Sequence, residues 1–228
     1  MFNISEESVQ RVIIYIIPML LGIICHEVAH GYAAFRFGDP TAKMLGRLTL
    51  NPVKHIDPMG VLVFVGTALM APFAIGWAKP VPVNSRYFKN PIRNMAIVSF
   101  AGPLTNFLLA LLFGLAMFII VQVPSFFQYV MQDYPVVWKV LQAGVWINIV
   151  LGWFNLMPIP PLDGSHILYS ILPAPLANQY VKIGRYGMII VIVLLATGML
   201  WKVVGPLLSN SLNFIIQLYQ VPFIVDWL

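Results

Sequence analysis

Residues 94–121 contain no Asp, Glu, Lys or Arg, and about 20 such apolar residues suffice to carry a helix across the hydrocarbon core of a bilayer. The run is not isolated. Residues 9–37 read as one long helix that is apolar from Val12 to Ile24, and residues 137–157 form a further span. Another covers 186–208, and 211–227 is apolar enough to be either a span or an interfacial helix. Of the 228 residues, 60% are hydrophobic and 9% charged, whereas soluble domains carry about a quarter charged. No stretch is long and polar enough for a soluble domain. The chain therefore reads as an all-α polytopic membrane protein with about four to six transmembrane helices.

The same composition excludes other classes. A net charge of +5, with no Lys/Arg block interleaved with aromatics, excludes nucleic acid as an expected partner. Cys25 is the single cysteine, so an intrachain disulfide and a cysteine-based zinc site are both ruled out. It points about 100° away from its neighbour His26 and reads as a packed apolar thiol. The first apolar run continues past residue 30, too far for a cleavable signal peptide.

Basic residues report topology. Eight of the 13 Lys and Arg lie between Arg36 and Arg93, while residues 122–135 have none and the first ten residues carry Glu6 and Glu7. The positive-inside rule then puts the N-terminus outside, segments 36–57 and 79–93 in the cytoplasm and residues 122–135 outside. Both basic segments share a side only if residues 58–85 enter the membrane and return. Gly60, Gly66, Pro72 and Gly76 suit a re-entrant turn, and the alternating prolines of Trp77–Asn84 forbid helix and favour an extended, β-like segment. A re-entrant hairpin is expected in preference to a full span over 59–76. Non-helical backbone at that depth needs protein or a water-filled cavity around it.

Within the first helix stands His26-Glu27-Val28-Ala29-His30, an H-E-x-x-H pattern. Four residues advance a helix by about 400°, so both imidazoles share one face and can bind one ion. Glu27 is turned about 100° from His26, a poor direction for a ligand and a good one for a base acting on water at the metal. Each ionisable side chain at membrane depth costs roughly 2.5 kcal/mol or more, so three at this spacing point to function. A catalytic zinc site expects a third protein ligand. His55, Asp57, Asp133, Asp163, His166 and Asp226 are the remaining candidates. Asp133 and Asp226 read as solvated charges, and Asp57 as an Asp-Pro turn. Asp163 follows a proline run and precedes Gly164, which can turn a carboxylate inward, though a helix N-cap is its plain alternative. His166, three residues on, is either an outer partner of the site or a surface histidine.

H-E-x-x-H in an early helix, followed by Asn155-Leu156-Met157-Pro158-Ile159-Pro160-Pro161-Leu162-Asp163-Gly164, resembles the paired signature N-x-x-P-x-P-x-L-D-G of the site-2 protease family of intramembrane zinc metalloproteases. Gly46–Pro52, His55–Pro58, Gly76–Asn84 and Ala101–Asn106 look like its compact prokaryotic branch, without the PDZ or CBS domain of some relatives. The resemblance implies a single integral-membrane metalloprotease domain over 1–228, with a catalytic core at about 9–172 and C-terminal helices at about 185–228. It implies one Zn2+ per chain on His26, His30 and Asp163, with Glu27 as general base. Asn155, and with it Asn106, becomes a candidate substrate contact, although either could be a polar bond between helices. The expected partners are the bilayer and a transmembrane peptide or protein substrate, in a prokaryotic cell membrane. Such a substrate must unwind before attack, and residues 77–84 or 46–51 could receive it as an added strand. A divalent-metal transporter is the rival reading, but it predicts several weak sites along a path rather than one constellation.

Overall fold

The structure, a computed structural model, describes residues 6–70 and 76–223. Its helices are α1 (Glu6–Arg36), α2 (Thr41–Met44), α3 (Pro58–Met70), α4 (Pro91–Val121), α5 (Pro124–Asp133), α6 (Pro135–Asn155), α7 (Asp163–Ile171), α8 (Ala174–Ile183), α9 (Gly187–Ala196) and α10 (Met199–Tyr219). Five stretches are long and apolar enough to cross a membrane: Val12–Arg36, Pro91–Val121, Pro135–Asn155, Ala174–Ala196 and Met199–Tyr219. This is an all-α polytopic membrane protein. Named strands are absent among the described residues.

Packing centres on α1, α4 and α6, which touch one another, with α7 laid against α4 and α10 against α4 and α6. Small residues let the backbones approach, as lipid-embedded helices require without a hydrophobic drive between them. A Cβ on Gly22 of α1 would meet Asn148 of α6 at 2.8 Å, and one on Gly144 would meet Phe113 of α4 at 2.5 Å. Along α4 two layers stack. Ala110 and Met117 join Trp138, Val145 and Ile149 of α6 and Leu200, Val204 and Leu208 of α10 in a buried apolar cluster. Nearer the N-terminus, over the preceding four turns or so, Asn94, Ser99 and Asn106 are buried and polar. Outward positions such as Ile13, Ile17 and Leu21 on α1 and Leu104, Leu108 and Leu112 on α4 are exposed at a spacing of about one turn, the face a bilayer covers.

The chain before α3 and the chain after it come back together. Helix α3 is too short to span, residues 71–75 lie outside the described residues, and the returning chain at Ala78 pairs antiparallel with Ile56. The Lys79 amide donates to His55 O (2.8 Å). Segments on either side of α3 therefore lie side by side. The extended stretch is then held by side chains. A guanidinium nitrogen of buried Arg47 donates to Lys79 O (2.6 Å) and Pro80 O (3.3 Å). Buried Asp39 accepts from the Asn84 amide (2.6 Å), from the Thr41 amide (2.9 Å) and from the Thr41 hydroxyl.

Two expectations need correction. The span placed at 186–208 is broken at Gly198, whose φ of +69° ends one helix before α10 begins. The apolar run hides the break because glycine interrupts a helix without lowering hydropathy. Residues 122–135, read as a connection, contain α5, which starts at Pro124, a residue suited to the first helical turn. The C-terminal run over 211–227 resolves as the second half of α10, with residues 224–228 outside the described part.

Candidate metal centre

His26 and His30 project from one face of α1 and are 7% and 8% exposed. Their Nε2 atoms stand 2.9 Å apart, with the rings edge to face. Asp163 opens α7 as its first helical residue, not its N-cap, and makes no capping bond. Its carboxylate is turned instead to the imidazoles, with Oδ2 3.1 Å from His26 Nε2 and Oδ1 3.3 Å from His30 Nε2. Gly164 allows this for a reason other than the one expected. Its φ is not positive, but a Cβ there would collide with the Leu156 and Met157 carbonyls, so only glycine brings α7 this close to the end of α6.

The remaining ring nitrogens fix what these three groups can do. His26 Nδ1 lies 2.6 Å from Asn106 Oδ1, and His30 Nδ1 lies 2.7 Å from the Val98 carbonyl. Both partners accept, so both Nδ1 atoms donate, and each Nε2 carries a lone pair. Two imidazole lone pairs and a carboxylate thus converge. Asp163 Oδ2 is buried without a hydrogen-bond partner even though His26 Nε2 is near, as expected where two acceptors face each other. In a tetrahedral zinc site the ligand atoms stand roughly 3.4 Å apart, close to the spacings here. The donor set fits a divalent cation.

Among the described residues, the possible metal cluster comprises His26, His30 and Asp163 only. Glu27 stands apart from it, half-buried, and its Oε2 accepts the Val81 amide at 2.6 Å. The extended segment therefore runs directly past the expected base. Gly31, one turn on, lets it approach: a Cβ there would lie 2.6 Å from Leu48 and 2.8 Å from Val81. Gly102 of α4 does the same beneath the imidazoles, where a Cβ would come within 2.5 Å of His30 Nε2 and 2.6 Å of His26 Cε1.

Other candidates fall elsewhere. Asn106 is fully buried, and its amide nitrogen donates to Gly22 O (3.2 Å) and Asn148 Oδ1 (2.9 Å). It has no polar atom left for a substrate, so the candidate substrate contact at Asn106 is a helix-to-helix bond instead. Asn155 ends α6, partly exposed, with its amide on Leu151 O (3.0 Å) and its oxygen open. His55 is buried and bonds Thr49 O (2.7 Å), while Asp57 caps α3 through the Met59 and Gly60 amides. His166 is exposed and Asp133 ends α5, both apart from the cluster. Asp226 lies outside the described residues. The Val81 amide, the Val98 carbonyl and Asn148 have no counterpart in the sequence reading. For Asn148 the available signal was a polar residue inside an apolar span.

The model of peptidase family M50 matches residues 128–195, a region that holds Asn155 and Asp163 but not the H-E-x-x-H helix. A provisionally named zinc metalloprotease, YwhC of Bacillus subtilis (strain 168), is 36% identical over 209 residues, covering 91% of each chain. The chain belongs to peptidase family M50, the site-2 proteases. A second relative, provisionally named zinc metalloprotease Rip2 of Mycolicibacterium smegmatis, is 31% identical over 81% of this chain and 67% of its own. Zinc metalloprotease MJ0392 of Methanocaldococcus jannaschii is 26% identical over 75% of this chain and 37% of its own. No solved structure gives a significant match. As a family M50 member with five candidate spans, the protein is a multi-pass membrane metalloprotease of the zinc type.

Proposed function

We propose that this M50 protease is an intramembrane endopeptidase, cutting peptide bonds within or near transmembrane segments of membrane proteins in the manner of regulated intramembrane proteolysis. One Zn2+ per chain would be held by His26, His30 and Asp163. The supporting observation is where three convergent acceptors lie. His26 sits inside the candidate span Val12–Arg36, about 15 Å of helix from its Arg36 end at roughly 1.5 Å per residue. A reaction at such a depth meets substrate that is itself in the membrane.

The bound ion would polarise the scissile carbonyl and make a water acidic enough to attack near neutral pH. Glu27 supplies the proton path. The Val81 amide holds Oε2, and Oε1, which has no bond among the described residues, is free to take the water's proton and return it to the leaving amine. The imidazoles of His26 and His30 would hold the ion through their Nε2 lone pairs, which would leave Glu27 as the base. A transmembrane helix satisfies its own amides and must be locally unwound before attack. Residues 77–84, already extended beside Glu27, are the candidate template for the unwound strand, and Asn155 Oδ1 is a candidate contact for it. The basic segments 36–57 and 79–93 would face the cytoplasm and the N-terminus the outside, which brings water to the site from the cytoplasmic face.

Glu27→Gln separates chemistry from metal binding. The variant is expected to fold and to hold zinc as the parent does, while cleavage of a single-span substrate falls by at least about 10²–10⁴-fold, the usual worth of general acid–base catalysis. Zinc-loaded Glu27→Gln that cleaves near the parental rate would overturn the assignment of the base.

A further inference from the structure

The two metal-facing histidines are oriented by different means. His30 is fixed by a backbone carbonyl, that of Val98, which no substitution removes. His26 is fixed by a side chain, and that side chain is itself fixed by another. The order of atoms leaves no freedom. The Gly144 carbonyl can only accept, so Asn148 Nδ2 faces it at 2.9 Å and Asn148 Oδ1 faces away. Asn148 Oδ1 and the Gly22 carbonyl then take both hydrogens of Asn106 Nδ2, at 2.9 and 3.2 Å. Asn106 Oδ1 is left to face His26 Nδ1 at 2.6 Å. Both asparagines have 0% exposure, so water cannot substitute for a missing partner, and reversing either amide would set donor against donor or acceptor against acceptor.

We infer that Asn106 and Asn148 form a positioning relay from α6 through α4 to α1, which holds His26 in the tautomer and ring orientation that directs its Nε2 at the cation. Neither residue touches the ion or the substrate. A partner on the second ring nitrogen raises the ligand's basicity as well as aiming it, and loss of such a partner costs about 10–100-fold in metal affinity. The inference rests on the zinc site proposed above. The architecture also says why a side chain is used. Asn106 lies one turn beyond Gly102 on α4, so a single helix supplies both the gap under the imidazoles and the acceptor that orients one of them.

The test measures zinc affinity by chelator competition, and the visible spectrum of the cobalt(II)-substituted protein, on folded protein in detergent micelles. Asn106→Leu is expected to weaken zinc binding by about 10–100-fold and to alter the cobalt spectrum. Asn106→Asp keeps an acceptor for His26 Nδ1 but loses the donors to Gly22 O and Asn148 Oδ1, so it is expected to retain more affinity than Asn106→Leu and less than the parent. Asn148→Leu weakens binding by less than Asn106→Leu, and the double variant is no weaker than Asn106→Leu alone, because Asn148 acts only through Asn106. Wild-type affinity and an unchanged cobalt spectrum in Asn106→Leu would overturn the relay, as would losses that multiply in the double variant. If Asn106→Leu does not fold, Asn148→Leu and Asn106→Asp decide on the same two readouts. Should Asp163→Ala bind zinc as tightly as the parent, the zinc site itself is misassigned. Should it lose zinc while the asparagine variants do not, only the relay fails.

Discussion

Gly102 is occupied by nothing because the imidazoles of His26 and His30 fill the volume in front of it. Adding one methyl group puts carbon 2.5 Å from His30 Nε2, and the helix backbone cannot retreat without shifting Asn106 as well. Gly102→Ala is therefore expected to weaken zinc binding measured by chelator competition, with helix content unchanged by circular dichroism. An unaltered zinc affinity would show that α4 does not frame the site so tightly. Asp163 is the other residue on which the site turns. Because it makes no cap bond, Asp163→Ala should leave α7 in place and cost more affinity than the roughly 10–100-fold typical of an outer partner. Loss of α7, detected by easier proteolysis between α6 and α8, with zinc affinity retained, would return Asp163 to a structural role.

At the scale of elements, the informative unit is α3 with its returning strand. The Ile56–Ala78 pairing and the Lys79 amide on His55 O bring the two basic segments together. Arg47 and Asp39 then secure the returning chain at Lys79, Pro80 and Asn84. The pairing predicts that both segments lie on one side of the membrane. Single cysteines at Lys43, Arg86 and Gln128, in a Cys25→Ala background, test this with an impermeant thiol reagent applied to intact cells. Position 128 should be labelled and positions 43 and 86 protected. Labelling of 86 but not 43 would contradict the pairing, and labelling of both with 128 protected would invert the topology.

For the whole molecule, the polar layer of α1, α4, α6 and α7 stands beside an apolar cluster of α4, α6 and α10, so the candidate metal centre is built on the helices that pack most extensively against one another. Such packing leaves the deforming to the substrate. Substrate helices weakened by Gly, Pro or Asn near the cleaved bond should be cut faster. Replacing them with Leu should slow turnover in proportion to an unwinding cost of about 1 kcal/mol per Gly and more for Pro. Equal rates for weakened and strengthened helices would mean that unwinding does not limit the reaction.

The sequence by itself determined the spans and the first two metal-facing residues. Hydropathy is summed along the chain, and the 3.6-residue repeat brings His26 and His30 to one face without help from any other element. It could not place the break at Gly198, since glycine is silent in a hydropathy sum. It saw α5 only as a connection, because ten residues between two prolines are too few to register as a span. Asp163 was legible as a candidate from its surroundings, and as a ligand only through the family resemblance. A carboxylate after a proline run can cap its own helix or reach another, and the approach of Gly164 to the end of α6 turns this one toward the imidazoles. The pairings of Asn106 with His26 and Asn148, and of the Val81 amide with Glu27, belong to the tertiary structure alone. Their partners lie 42 to 84 residues away in the chain, and which face of a helix a polar side chain finds buried is set by the helices packed against it.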